Sequence, residues 1–178
     1  MSKDPKRVNA GKKSKRKGNN NERNLAKQFQ EWWGEGQFQR TPSSGGWSTK
    51  VAREEYRTAG DLVASDPNFL WCVELKKQEA WTMDAVIHGK CAKVAGWWKQ
   101  TVDETPNTLK PLLVFSKNRT DPCVMVLYND LDLHIAGMIA MTPAGLRTFA
   151  DHNGNPVAMF PLSALFALDS SLFKVKKE

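Results

Sequence analysis

Cysteine, histidine and long apolar runs are all scarce in this chain, and each scarcity excludes a class of protein. The three cysteines are widely spaced and contain no Cys-x-x-Cys pair, which argues against a disulfide framework and against a zinc site. The three histidines show no spacing typical of metal ligands. No apolar run is long enough to span a bilayer, and the basic N-terminal segment lacks the apolar stretch of a signal peptide. We therefore expect a soluble, cytoplasmic protein with no membrane partner.

The positive charge of the chain is concentrated at its N-terminus. Of the 26 Lys and Arg residues, eight lie within residues 1–18, where Asp4 is the only acid. This segment therefore carries the whole formal net charge of +7, and residues 19–178 are neutral. We predict that residues 1–18 form a disordered basic arm that binds nucleic acid, and that residues 19–178 form one domain. The alternative for the arm is a tail that only raises solubility.

An amphipathic helix is predicted after the arm. It begins near Asn20 or Asn21, which can cap it, and ends at Gly34. Its apolar stripe consists of Leu25, Phe29, Trp32 and Trp33. Glu22 falls in line with this stripe near the helix start, where a carboxylate is either a cap or a ligand for a metal ion.

The stretch from Gly60 to Lys76 holds the densest chemistry of the chain. Two apolar runs flank the turn residues Asp66-Pro67-Asn68, which predicts a β-hairpin with Asp61 alongside Glu74. Because alternate side chains of a strand share a face, Glu74 and Lys76 point the same way. Two adjacent carboxylates repel each other, and a Mg²⁺ ion between them would relieve the repulsion. The alternative is a solvated hairpin end with ordinary surface charges.

An ordered series of motifs resembles the PD-(D/E)xK nuclease superfamily, and more closely the archaeal-type Holliday junction resolvases. The matching pieces are Arg16-Lys17-Gly18, Glu22-Arg23, Arg40 with a following Ser-Gly loop, Asp61, and Glu74-Leu75-Lys76. Gly60 stands where the superfamily motif has proline. The mixture of features points to a viral or mobile-element relative, which would act in the host cytoplasm.

The resemblance implies an α/β fold, with a central mixed β-sheet flanked by helices in a restriction-endonuclease-like core. It also implies a homodimer that hydrolyses phosphodiesters of four-way (Holliday) junctions in DNA recombination and repair. The implied metal is Mg²⁺, with Mn²⁺ as a substitute, held by Glu22, Asp61 and Glu74. Lys76 would be the catalytic lysine.

Further site residues follow from the same resemblance. Phosphate contacts are expected from Arg16, Lys17, Arg23 and Arg40. Ser43 or Ser44 would act from the loop after Arg40. Gln100, on a later helix, would support the site, although an ordinary surface glutamine fits its position as well.

The remaining chain is predicted to be scaffold. A helix is expected over residues 82–104, buried strands over 112–115 and 123–128, and a helix over 142–150. The apolar segment 161–168 either completes the core or forms a dimer interface. Two alternative functions stay open: a duplex or flap endonuclease of the same superfamily, and a non-catalytic nucleic-acid-binding protein.

Overall fold

One long helix opens the described part of the chain. The computed structural model describes the backbone of residues 5–41 and 59–174, and the side chains of residues 16–41 and 59–174. Helix α1 (Pro5–Trp33) buries Leu25, Phe29 and Trp33, as its apolar stripe predicts. Gly34, at φ +78°, follows the helix, and its N–H donates to the Gln30 carbonyl at 3.1 Å.

The start of α1 differs from the prediction. The helix begins at Pro5 rather than at Asn20 or Asn21, and it continues through Gly18 without a break. Proline suits the first turn of a helix, and Lys and Arg are good helix formers, so composition alone did not require disorder here. The division into an arm of residues 1–18 and a domain of residues 19–178 stays a prediction, but no helix end marks the boundary.

The central sheet consists of β3 (Trp71–Lys77), β4 (Lys110–Ser116), β5 (Cys123–Leu127), β6 (Arg147–Ala150) and β7 (Pro156–Pro161). Their order across the sheet is β3-β4-β5-β7-β6. Strand β3 runs parallel to β4, and every other neighbouring pair in this sheet is antiparallel. The predicted α/β fold with a mixed sheet is confirmed, and so are the two predicted strands, which correspond to β4 and β5.

Helices cover both faces of this sheet. On β4, Leu112 and Val114 join the core that contains α1, whereas Leu113 and Phe115 join a second core on the opposite face. The other α-helices of the described residues are α2 (Met83–Ile87), α3 (Ala92–Glu104), α4 (Leu133–Ala140) and α5 (Leu162–Phe166). Residues of α4 and α5 pack in the α1 core, and residues of α2 and α3 pack in the second core. No helix in the described ranges is long and apolar enough to cross a membrane.

The predicted hairpin of residues 61–76 is wrong, because its two strands do not pair with each other. Strand β2 (Leu62–Ala64) pairs antiparallel with β1 (Phe38–Arg40) in a separate two-stranded sheet, not with β3. The turn itself forms: Asp66 Oδ1 accepts from the Asn68 N–H at 2.9 Å. Asp66 Oδ2 also accepts from Trp33 Nε1 at 2.6 Å, so the turn is anchored to α1 and the chain leaves it toward a different sheet.

Three other predictions can be compared with the structure. The helix over 82–104 is divided into α2 and α3 at Gly89, which adopts φ +65°. The helix over 142–150 is wrong, because Gly145 turns the chain at φ +65° and residues from Arg147 onward pair with β7. The segment 161–168 completes the core, since Leu162 and Leu165 are buried against the α1 side of the sheet.

Candidate active site

Asp61 lies against the free edge of the central sheet. Strand β3 is an edge strand, so some of its backbone groups need partners from outside the sheet. The Asp61 N–H donates to the Val73 carbonyl at 2.7 Å, and the Leu75 N–H donates to Asp61 Oδ2 at 2.8 Å. These two bonds hold the Asp61 carboxylate beside Glu74, as predicted, although β2 and β3 do not form a hairpin.

Gly60 allows this close approach. It adopts φ +77°, and a Cβ at this position would lie 2.5 Å from the Val73 carbonyl oxygen. A proline, which stands here in the superfamily motif, is fixed near φ −65° and cannot take this conformation. Thr41 holds the same segment from the other side: its Oγ1 donates to the Gly60 carbonyl at 2.8 Å, and its N–H donates to the Asp61 carbonyl at 2.9 Å.

Glu74 and Lys76 form an ion pair on β3. Lys76 Nζ lies 2.6 Å from Glu74 Oε1, and both side chains are largely shielded from solvent. Glu74 as a whole is only 9% exposed. A carboxylate so buried requires a charged or hydrogen-bonding partner, and Lys76 supplies it. The shared face predicted for these two residues therefore becomes a direct contact.

The acids are close enough to affect one another. Burial raises the pKa of Asp61 to about 6, and the negative charge of Glu74 adds to the increase. The hydrogen bond from Leu75 lowers this pKa, Glu22 raises it further, and Lys76 offsets part of the rise. Burial is the larger cause of this rise, and the nearby Glu74 carboxylate is the second.

Glu22 has a different partner. Its Oε2 lies 3.0 Å from Arg40 Nη1, and the two side chains are 19% and 15% exposed. Within residues 16–41 and 59–174, no group of three or more His, Cys, Asp or Glu side chains is arranged to hold a metal ion. The three-acid cluster is thus not assembled with these side-chain positions.

Asp61 and Glu74 nevertheless suit a divalent cation. Mg²⁺ commonly uses one or two protein carboxylates and completes its coordination with water and substrate oxygens. A cation between the two groups would favour the charged form of Asp61, which burial and the Glu74 carboxylate both disfavour.

The other predicted site residues are spread around this centre. Lys17 Nζ donates to Asn118 Oδ1 at 3.0 Å, and Arg23 donates to Asn20 at 3.3 Å. Arg16 is exposed on α1. Gln100 donates to Glu104 at 3.0 Å, one turn along α3, instead of to an acid of the site. Ser43 and Ser44 lie outside the described residues.

Three contributors were missed from the sequence. Thr41 positions Asp61 by donating its Oγ1–H to the Gly60 carbonyl and its N–H to the Asp61 carbonyl. Gly60 allows the close approach to β3, and the Leu75 N–H fixes the Asp61 carboxylate. A backbone donor leaves no mark on residue type, so the Leu75 contact had no signal. Gly60 did have one, because glycine in the place of the motif proline indicates a backbone conformation closed to other residues.

Comparison with known families finds a match for most of the chain. The family model described as "Phage putative PDDEXK endonuclease" matches residues 13–151. The chain belongs to this family. The matched range includes Glu22, Asp61, Glu74 and Lys76, so the family assignment covers the whole candidate site. It confirms the PD-(D/E)xK nuclease resemblance and the viral affinity expected from the motifs. Searches of curated proteins and of solved structures find no match.

Proposed function

We propose that this member of the phage nuclease family is a Mg²⁺-dependent DNA endonuclease that cleaves four-way junctions. The observation that carries the proposal is the fixed position of the Asp61 carboxylate at the β3 edge, next to the Glu74–Lys76 pair. Two carboxylates and one amine at the end of a sheet are a reasonable centre for phosphodiester hydrolysis. Surface charges with no catalytic task have no reason to be buried together.

Each residue of the centre has a distinct role in the proposal. Asp61 and Glu74 hold Mg²⁺, for which Mn²⁺ substitutes. Such an ion, when bound, supplies Lewis acidity and a water molecule of lowered pKa. Lys76 presents a positive charge to the phosphate oxygens as their charge increases during attack. Glu22 would be the third carboxylate for such an ion, and in this structure it is bonded to Arg40.

The basic residues of α1 and β1 are proposed to hold the DNA backbone. The proposed contacts are Arg16, Lys17, Arg23 and Arg40. Support comes from the continuity of α1, because its backbone is helical from Pro5 to Trp33 and carries basic sequence up to the site. Contacts to phosphates give salt-dependent binding with little sequence preference.

Junction cleavage further implies a homodimer. A four-way junction has two scissile strands related by a two-fold axis, and two equivalent active sites match that symmetry. The proposed setting is DNA recombination or repair in the cytoplasm of an infected host. Support for this setting comes from the phage family to which the chain belongs.

The deciding experiment offers four-way junction, flap, linear duplex and single-stranded DNA to the protein side by side, with Mg²⁺ and with EDTA. We expect paired nicks in the four-way junction when Mg²⁺ is present and none when EDTA replaces it. Cleavage of the flap or duplex at equal rates would replace the junction specificity with a broader endonuclease. DNA binding without cleavage of any substrate would leave a non-catalytic binding protein.

A further inference from the structure

A cleft lies directly beside the candidate active site. It has a volume of about 390 Å³ and opens between the middle of α1, the end of β3 and the β4–β5 turn. We call it the α1–β3 cleft. Its wall consists of Lys17, Gly18, Asn21, Glu22, Leu75, Lys77, Gln78, Glu79 and Asn118.

The cleft and the candidate active site share a border. Leu75 lines the cleft and also donates its N–H to Asp61 Oδ2. Glu22, which pairs with Arg40, lines the cleft as well. Because alternate side chains of a strand point to opposite faces, Leu75 and Lys77 line the cleft on the face of β3 opposite to Glu74 and Lys76. A DNA strand whose phosphate lies at Asp61 would reach the cleft past the outer edge of β3.

The wall of the cleft carries two lysines, two glutamates and three side-chain amides. Its two carboxylates are engaged: Glu22 pairs with Arg40 at 3.0 Å, and Glu79 Oε1 accepts from the Asn118 N–H at 2.9 Å. Lys17 reaches across to Asn118 Oδ1 at 3.0 Å, which links α1 to the β4–β5 turn. Lys77 and Gln78 add an exposed ammonium and an amide. Such a lining suits an anionic ligand that also offers polar edges.

The size of the cleft restricts that ligand. A volume of about 390 Å³ is at the low end of small-ligand sites, so it suits one nucleotide and not a duplex. A nucleotide enters such a space only when it is unpaired or has left the base stack. Flaps and bulges contain such a nucleotide and a regular duplex does not, whereas a four-way junction offers one only where a base pair at its branch point opens.

We propose that the α1–β3 cleft binds a single unpaired nucleotide next to the scissile phosphate. Lys17 and Lys77 contact its phosphate, and the amides of Gln78 and Asn118 contact its base edge. This proposal rests on the proposed endonuclease function and adds the requirement that sets its substrate class: an unpaired nucleotide at the cut, not four-way symmetry alone.

The test measures binding separately from cleavage. Fluorescein-labelled duplexes that differ only by one unpaired thymidine are titrated with the full chain in EDTA, where no cleavage occurs, and cleavage is measured in Mg²⁺. The test variant is Lys77→Ala with Asn118→Ala. The matched control is Lys90→Ala with Asn107→Ala, which removes one exposed ammonium and one exposed amide away from the cleft.

We expect the test variant to lose on the order of tenfold or more in affinity for the DNA with the unpaired thymidine. Its affinity for the regular duplex should match that of the control variant. An equal loss for both DNAs would show only general phosphate attraction and overturn the proposal, as would no loss at all. Selective binding without cleavage in Mg²⁺ would keep the cleft proposal and refute the endonuclease function instead.

Discussion

The Asp61 carboxylate accepts a hydrogen bond from the backbone N–H of Leu75 at 2.8 Å. This bond satisfies a backbone donor at the outer edge of β3. It also fixes the Asp61 carboxylate at Leu75, the residue that follows Glu74 on the strand. The site therefore depends on the pairing of a loop residue with a strand edge. Each prediction below tests one part of that arrangement.

The first prediction concerns the two carboxylates. Asp61→Asn and Glu74→Gln should each reduce cleavage by about a thousandfold or more, because each removes negative charge that the divalent ion requires. Binding to junction DNA in EDTA should stay near normal, since neither acid attracts the phosphate backbone. The control is Asp84→Asn, a carboxylate that is 88% exposed. Near-normal cleavage by either site variant would remove that residue from the proposed metal site.

A second prediction concerns Gly60. Gly60→Ala should destabilise the protein by more than about 2 kcal/mol, because the new Cβ meets the Val73 carbonyl oxygen at 2.5 Å in addition to the unfavourable positive φ. The variant should also lose metal binding, since Asp61 moves away from Glu74.

Gly34→Ala is a matched control for this substitution. Gly34 has φ +78°, close to the +77° of Gly60, but a Cβ there would meet nothing within 4 Å. It should therefore cost only about 1 kcal/mol in urea unfolding. Equal costs for the two variants would show that Gly60 is required for its φ alone and that the close approach to β3 is unimportant.

The third prediction concerns pH. Burial and the Glu74 charge raise the pKa of Asp61 from 3.8 to about 6, so the folded protein binds this proton more tightly than the unfolded chain. The contribution of Asp61 to the free energy of unfolding should thus fall as pH rises from about 4 to about 6, and stay level above that range. Carbon-detected NMR titration of the metal-free protein measures the pKa directly.

Two controls accompany the titration. Asp61→Asn should remove the pH dependence between pH 4 and 6 and stabilise the metal-free protein at pH 7 by about 1–2 kcal/mol, after allowance for partial exposure to solvent. Adding Mg²⁺ to the wild type should lower the Asp61 pKa. A measured pKa near 3.8 without metal would show that the acids are farther apart, or better solvated, than the structure indicates.

A fourth prediction concerns the Glu22–Arg40 pair. A double-mutant cycle with Glu22→Gln and Arg40→Met should give a coupling of about 1 kcal/mol in stability, because both side chains are mostly shielded from solvent. The exposed pair Lys99–Asp103 is the comparison, with an expected coupling of about 0.3 kcal/mol. Zero coupling for Glu22 and Arg40 would leave Glu22 free to serve as a permanent metal ligand.

Two errors of the sequence predictions share one cause. Residues 142–150 have no apolar periodicity that distinguishes a short helix from an edge strand, and the pairing of Arg147–Ala150 with β7 settled the question. The turn at Asp66 was recognised correctly, but turn chemistry does not say which strand pairs with which. In both places, partners distant in the chain decided the structure, and a local pattern carries no information about them.

The amino-acid sequence by itself determined the apolar stripe of α1, the buried strands β4 and β5, and the resemblance to the nuclease family to which the chain belongs. Residue spacing reports which face a side chain occupies, and that was enough for these features. The tertiary structure alone decided that Asp61 reaches the edge of β3 through Gly60, that Glu22 is bonded to Arg40, and that a cleft opens beside Leu75. These relationships join separate elements of the chain, and their geometry depends on backbone approach and packing that no local pattern encodes.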